Sequence, residues 1–264
     1  MFFNGNTETD LACENSRDDR KGKMENTYTE MGTKIIKTTF DPAKRNGLLP
    51  RDAYFGLECG ALWEMTEEKA YCASLLTASK IRKLLENAMR MKEAKSVLVI
   101  GIGNRHITAD SMGPLCADRT TVRQKATASA PQVCVLSPGV CGQTGINTSD
   151  LVSSAVCATG ADLVIAIDSL KASKADRLGA YIQIGNCGIE PGSGTDKRGK
   201  GINLATVGVP VISVGIPTVI GCTVLNDERY SVSEIILTSK ECDVIADTGA
   251  SILANAINTA LETF

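Results

Sequence analysis

The sequence predicts an α/β protein in three layers, built on a mostly parallel or mixed sheet. Three observations predict it. Short apolar runs without polar alternation, the pattern of strands buried on both faces, recur between residues 96 and 216. Helix-like stretches separate several of these runs, and the loops that follow the runs carry Gly or Asp. The 264 residues, set against about 150 per domain, accommodate one large α/β domain, placed at 31–264, behind an N-terminal segment, 1–30.

Residues 1–30 are polar, charged and rich in Gly, Asn and Thr, with DDRKGK at 18–23. Such a composition predicts a flexible segment. TKIIKTTF (33–40) and AYFGLEC (53–59) carry β-branched and aromatic residues on either side of DPAKRNGLLPRD, and predict two strands joined by a long loop. From Thr66 to Met91 apolar residues recur every three or four positions (Tyr71, Leu75, Ala78, Ile81, Leu85, Ala88), with Glu67 and Glu68 suited to a helix start. A long helix is predicted there. SVLVIGI (96–102), VCVLS (133–137), ADLVIAI (161–167), AYIQI (180–184) and VPVISVGI (209–216) predict five buried strands, with helices over 112–125, 148–159 and 241–262.

Charge and composition exclude several classes of function. Lys and Arg number 28 against 30 Asp and Glu, a net charge of −2, so counterion release offers no drive toward nucleic acid. No apolar run reaches the roughly 18 residues of a membrane span. MFFNGNTETD lacks the features of a secretory signal, which predicts a protein that stays inside the cell. Ten cysteines are scattered without a CxxC pair, and there is one histidine, His106. A zinc cluster of normal Cys/His spacing cannot be written, and neither a metal nor a cofactor is expected.

Ligands of open α/β sheets collect at the carboxyl ends of strands, and two such ends lead to aspartates. The first buried strand runs into GIGNRHITADSMGP, which carries Asp110, and the run at 163–167 leads directly into Asp168. If the strands are neighbours, the two carboxyls face one crevice and can share a proton, as base and acid in water-mediated hydrolysis. The alternative is that each merely caps the helix after its strand. GIGNRH has His106 where a dinucleotide motif needs its third glycine, and no ribose-binding acid follows about twenty residues on. SPGVCGQTGINTSD (137–150) brings Gly139, Gly142 and Gly145 together with Gln143 and Thr144, either to let backbone amides approach a substrate or to make a sharp turn. Asp150 reads as a first-turn helix charge, and Cys141 as a small packing group.

Taken in order, TDLACE (9–14), GIGNRHITADSMGP (101–114), SPGVCGQTGINTSD (137–150), VIAIDSL (164–170), GIEPGSG (188–194) and GVPVISVGIPTVI (208–220) resemble the bacterial spore germination proteases. The resemblance implies an aspartate-dependent endopeptidase that degrades small acid-soluble spore proteins in the spore core. It also implies a homotetramer made as a zymogen, with a phosphorylase/hydrolase-like fold similar to that of hydrogenase maturation proteases. By the same resemblance, Asp110 and Asp168 fall on the family's essential aspartates. The loop of Gly139, Gly142, Gln143, Thr144 and Gly145 would polarise the scissile carbonyl. TDLACE resembles the cleaved pattern, so self-processing is expected at Ala12, Cys13 and Glu14, between Ala12 and Cys13. Two alternatives are a metal-guided endopeptidase of the hydrogenase-maturation type, suggested by His106 near Asp110, and a non-catalytic relative acting as a binding protein.

Overall fold

A computed structural model describes residues 9–14, 23–40, 52–88, 95–190, 200–221 and 236–262. Expectations for 1–8 and 15–22, for the turn at 41–51, for the helix beyond Ala88 and for most of the 188–201 loop lie outside the described residues.

The strands are β1 (Met24–Glu30), β2 (Thr33–Phe40), β3 (Asp52–Glu58), β4 (Ser96–Gly101), β5 (Gln132–Leu136), β6 (Leu163–Ala172), β7 (Tyr181–Gly185), β8 (Val211–Gly221) and β9 (Ile236–Thr238). The helices are α1 (Glu67–Ala88), α2 (Met112–Arg119), the single turn α3 (Cys141–Thr144), α4 (Thr148–Thr159), the single turn α5 (Leu204–Val207) and α6 (Cys242–Glu262). Among the described residues the strands form one mixed sheet in the order β1-β2-β3-β7-β8-β6-β4-β5, with β9 on the far end of β8. β5, β4, β6 and β8 run parallel. β7, β3, β2 and β1 continue the sheet antiparallel.

Both faces are covered. On one, Ile165 and Ile167 of β6, Ile182 and Ile184 of β7 and Val97 and Val99 of β4 pack with α1, α2 and α6. On the other, Leu98, Ile100, Val164 and Ala166 pack with Val152 and Val156 of α4 and Val207 of α5. The same face continues over Ile36, Leu170, Ala172 and Tyr181, where Leu11 covers it.

Three local expectations are corrected. Residues 24–30, assigned by composition to a flexible segment, form β1, because a two-residue turn with positive φ at Met31 (50°) and Gly32 (74°) folds them back along β2. Residues 9–14 of that segment are docked on the sheet. In α1 the buried stripe runs through Ala73, Leu76, Ile81, Leu84 and Leu85, while Tyr71 is exposed. α2 stops at Arg119 rather than near 125, where the Thr120 hydroxyl donates to the Cys116 carbonyl (2.9 Å).

β5 lies on one side of β4 and β6 on the other, with α2 and α4 on opposite faces. The strand order therefore reverses at β4, and a crevice opens at the carboxyl ends of β4 and β6.

Candidate active site

Asp110 reaches this crevice because α2 packs unusually close to the strand ends. A Cβ on Gly113 would lie 2.1 Å from the Ile102 carbonyl oxygen, and one on Gly101 would lie 2.1 Å from the Gly113 oxygen. Only glycine permits that approach. The 3-10 turn Thr108–Asp110 precedes α2 and is pinned to β8 by the Thr218 hydroxyl, which donates to the Ala109 carbonyl at 2.6 Å. Asp110 then folds over Gly103, where a Cβ would lie 2.0 Å from the Asp110 carbonyl oxygen, and its Oδ2 accepts the Asn104 amide at 2.7 Å.

Asp168 follows Ile167, the residue paired with Gly101 of β4. It is only 7% exposed, and its Oδ1 accepts its neighbour's amide, that of Ser169, at 2.9 Å. Burial raises the Asp110 carboxyl above its ordinary range, with the Asn104 hydrogen bond opposing the shift. Asp168 is raised much further, first by burial, then by the charge of Asp110, then by that of Asp10. The two carboxyls predicted from strand ends are therefore electrostatic neighbours, each shifted toward its protonated form.

The 139–145 loop connects to the pair through a side chain. Gln143 Nε2 donates to Asn104 Oδ1 at 2.6 Å, and the same oxygen accepts the His106 amide at 3.0 Å. The amides of Gln143 and Thr144 donate to the Val140 carbonyl and that of Gly145 to the Cys141 carbonyl. These three amides are spent inside α3, which corrects their expected role as donors to a substrate carbonyl. Gly142, Gln143, Thr144 and Gly145 are exposed, and Gly139 is half-buried. Cys141, expected to be a packing group, is also exposed. His106 is exposed, and among the described residues no group of three or more His, Cys, Asp or Glu is placed to hold a metal ion.

The TDLACE segment lies on the sheet beside Asp168. Leu11 is 0% exposed and Ala12 3%, and Leu11 packs with Ile36, Leu170, Ala172 and Tyr181. Its backbone is held at both ends of one side chain. Gln183 Oε1 accepts the Ala12 amide at 2.7 Å, and Gln183 Nε2 donates to the Asp10 carbonyl at 2.9 Å. Asp10 also pairs with the Lys171 backbone, its amide donating to the Lys171 carbonyl (2.9 Å) and its Oδ2 accepting the Lys171 amide (2.8 Å). Glu14 Oε2 accepts from the Ser173 amide (2.7 Å), the Ser173 hydroxyl (2.8 Å) and the Thr9 hydroxyl (2.7 Å). The Tyr181 hydroxyl donates to Cys13 Sγ at 3.2 Å, and Lys23 Nζ donates to the Cys13 carbonyl at 3.0 Å.

Sequence reading missed Asn104, Lys171, Ser173 and Gln183 as site residues. Gln183 left a usable signal, since it is the polar residue inside the apolar run AYIQI.

The germination protease family profile matches residues 4–231. The chain belongs to that family. Germination proteases similar to it include that of Bacillus cereus (strain G9842), 32% identical over 238 residues, or 83% of this chain and 65% of that one. Another, from Clostridium acetobutylicum, is 32% identical over 236 residues, covering 72% of each chain. A third, from Priestia megaterium, is 31% identical over 234 residues, 83% of this chain and 63% of that one. The chain thus spans about two thirds of the length of these germination proteases. Among solved structures, the [NiFe] hydrogenase maturation protease HycI from Thermococcus kodakarensis KOD1 aligns with a TM-score of 0.38 at 17% identity, over 66% of this chain and 98% of that one. No helix among the described residues of this germination protease family member is long and apolar enough to cross a membrane.

Proposed function

We propose that this chain is an endopeptidase of spore germination, made as a self-processing zymogen, that uses Asp110 and Asp168 to activate water. The observation that carries the reading is a buried Asp168 electrostatically coupled to a half-buried Asp110 at the switch point of the sheet, with the chain's own TDLACE segment docked beside it.

The two environments support one division of the roles. Asp168, the more strongly raised carboxyl, holds the shared proton and acts as acid. Asp110, whose carboxylate the Asn104 amide stabilises, acts as base. Asp110 takes a proton from water as the water oxygen bonds to the scissile carbonyl carbon, and Asp168 gives its proton toward the carbonyl oxygen. When the C–N bond breaks, the amine leaves with a proton from Asp110, and Asp168 takes back a proton from a hydroxyl of the tetrahedral intermediate as the carboxylic acid forms, which restores the starting state. The 139–145 loop orients Asn104 through Gln143.

Asp10 is the residue of the segment whose charge reaches Asp168, and Gln183 on β7 holds both the Asp10 carbonyl and the Ala12 amide. This favours the Asp10–Leu11 bond over Ala12–Cys13 as the one cut. Substrates are small acid-soluble spore proteins carrying a similar segment, the compartment is the spore core, and the assembly is a homotetramer. The cut detaches the residues up to Asp10, and β1 (Met24–Glu30) stays with the protease domain.

The test is the intact mass of the protein after incubation at mildly acidic pH, beside Asp110→Asn and Asp168→Asn. The parent alone should lose an N-terminal piece ending at Asp10. A piece ending at Ala12 would return the cut to Ala12–Cys13, and processing in either Asn variant would sink the aspartate mechanism. A parent that stays intact and gains activity only with added divalent metal would point to a metal-guided endopeptidase; one inert under all conditions would point to a binding protein.

A further inference from the structure

Three hydrogen-bond donors at the start of α4 stand without an acceptor. Asn147 is the N-cap residue, where an Asn side chain ordinarily accepts from the first turn, yet it caps nothing. The Thr148 and Ser149 amides donate to no group among the described residues. The Ser149 hydroxyl is 2% exposed and also has no partner among them. Such a group costs stability in the resting protein. Asp150, the charged side chain of the turn, is exposed, lies 3.6 Å from Lys200 Nζ and takes none of these donors.

The donors are aimed at the carboxyl ends of the strands. Ser149 precedes Val152 by three residues and Val156 by seven, so it continues the stripe of α4 that is buried against the sheet. α4 crosses between the parallel strands β5 and β6 and runs back against them, which puts its first turn where those strands end. Along one face of β6, Val164 and Ala166 lie under α4, and Leu170 and Ala172 lie under Leu11 of the TDLACE segment. Asp168 is the residue between them on that face. A carbonyl presented to Asp168 by the segment therefore has the start of α4 on its other side.

We propose that the first turn of α4 is the oxyanion site of the reaction, with the Thr148 and Ser149 amides and the Ser149 hydroxyl donating to the oxygen of the carbonyl under attack. The proposal rests on the peptidase reading for the identity of that oxygen. It fills the role that the 139–145 loop cannot, since the amides of Gln143, Thr144 and Gly145 are spent inside α3. Ser149 keeps its proton throughout. The oxygen accepts these hydrogen bonds through one lone pair and the Asp168 proton through the other. A helix start adds its positive dipole end to the donors, and seclusion from bulk water strengthens all three.

The test compares the full chain with Ser149→Ala. Self-processing, followed by intact mass, should slow about a hundredfold, the usual cost of one oxyanion donor. Its pH profile should keep the parent's shape, because both aspartates remain. The variant should also melt at a higher temperature than the parent, since the unpaired hydroxyl is gone. Slower processing with a lower melting temperature would mean damage to the fold, and an unchanged rate would mean no contact with the oxygen; either overturns the proposal. A tetrahedral mimic, the peptide of residues 5–16 with a phosphinate in place of the Asp10–Leu11 amide, reads the donors without turnover. At saturation it should move the Thr148 and Ser149 amide proton resonances downfield, and it should bind Ser149→Ala at least tenfold more weakly. A mimic that fails to bind, leaves both resonances in place or binds the two chains equally overturns the proposal. A parent that responds to the mimic in this way but never cleaves keeps the anion site and counts against the peptidase reading instead.

Discussion

Gln183 of β7 and Asp168 of β6 stand on one row of the sheet, each paired with Gly215 of the β8 strand between them. Residues on one row project to the same face, and two strand spacings separate these two by about 10 Å. The clamp on the docked segment and the buried carboxyl are thus parts of one surface, joined by backbone rather than by flexible side chains.

Gln183→Ala should loosen the segment without unfolding the domain. It removes the acceptor of the Ala12 amide and the donor to the Asp10 carbonyl. The Ala12 amide is expected to exchange with deuterium at least tenfold faster, while amides of β4 and β6 keep their protection.

Asp168 gives stability a pH dependence opposite to that of a salt-bridged aspartate. Its carboxyl is raised well above the ordinary range by burial, Asp110 and Asp10. The folded chain holds this proton at pH values where the unfolded chain has released it, so the contribution is fully present below the unfolded pKa and is lost as pH rises through the folded one. Asp168→Asn does not titrate. Its melting temperature should match the parent's at low pH and exceed it increasingly toward pH 8, by about 2–4 °C for each kcal/mol recovered. Parallel melting curves across the range would refute this.

Asn104→Ala keeps the backbone amide that holds Asp110 but cuts the contact to Gln143 and the support of the His106 amide. On the proposed mechanism, turnover of a peptide substrate should fall about tenfold with KM little changed, as for other groups that orient a reacting side chain from behind. A fall in affinity with intact turnover would place Asn104 in binding instead.

Gly113→Ala should be among the most damaging single-methyl additions in the protein. The added Cβ meets main-chain oxygen and nitrogen, which cannot rotate away. A loss of about 2–4 kcal/mol is expected, read as a lower denaturation midpoint.

The parallel half of the sheet and its two aspartates were legible in the sequence because β4, β6 and β8 are buried on both faces and so are written as unbroken apolar runs. β1 was not, since its residues are almost all exposed and carry no hydrophobic period. The amides of α3 were misread because glycine density does not reveal which carbonyls take the neighbouring N–H groups. The docking of Asp10, Ala12 and Glu14 was invisible for a different reason. Their partners Lys171, Gln183 and Ser173 lie 159 to 173 residues away, and no local propensity encodes such contacts.

A ligand carried on its own chain is indifferent to dilution, with an effective concentration in the millimolar range for a short tether. If the proposed bond beside Asp10 is cut, the freed piece obeys mass action and can be diluted away, whereas the portion still attached must compete with every incoming peptide. On that reading one hydrolytic event would leave the segment's hold resting on Leu11, Ala12 and Glu14 alone, with no second protein involved.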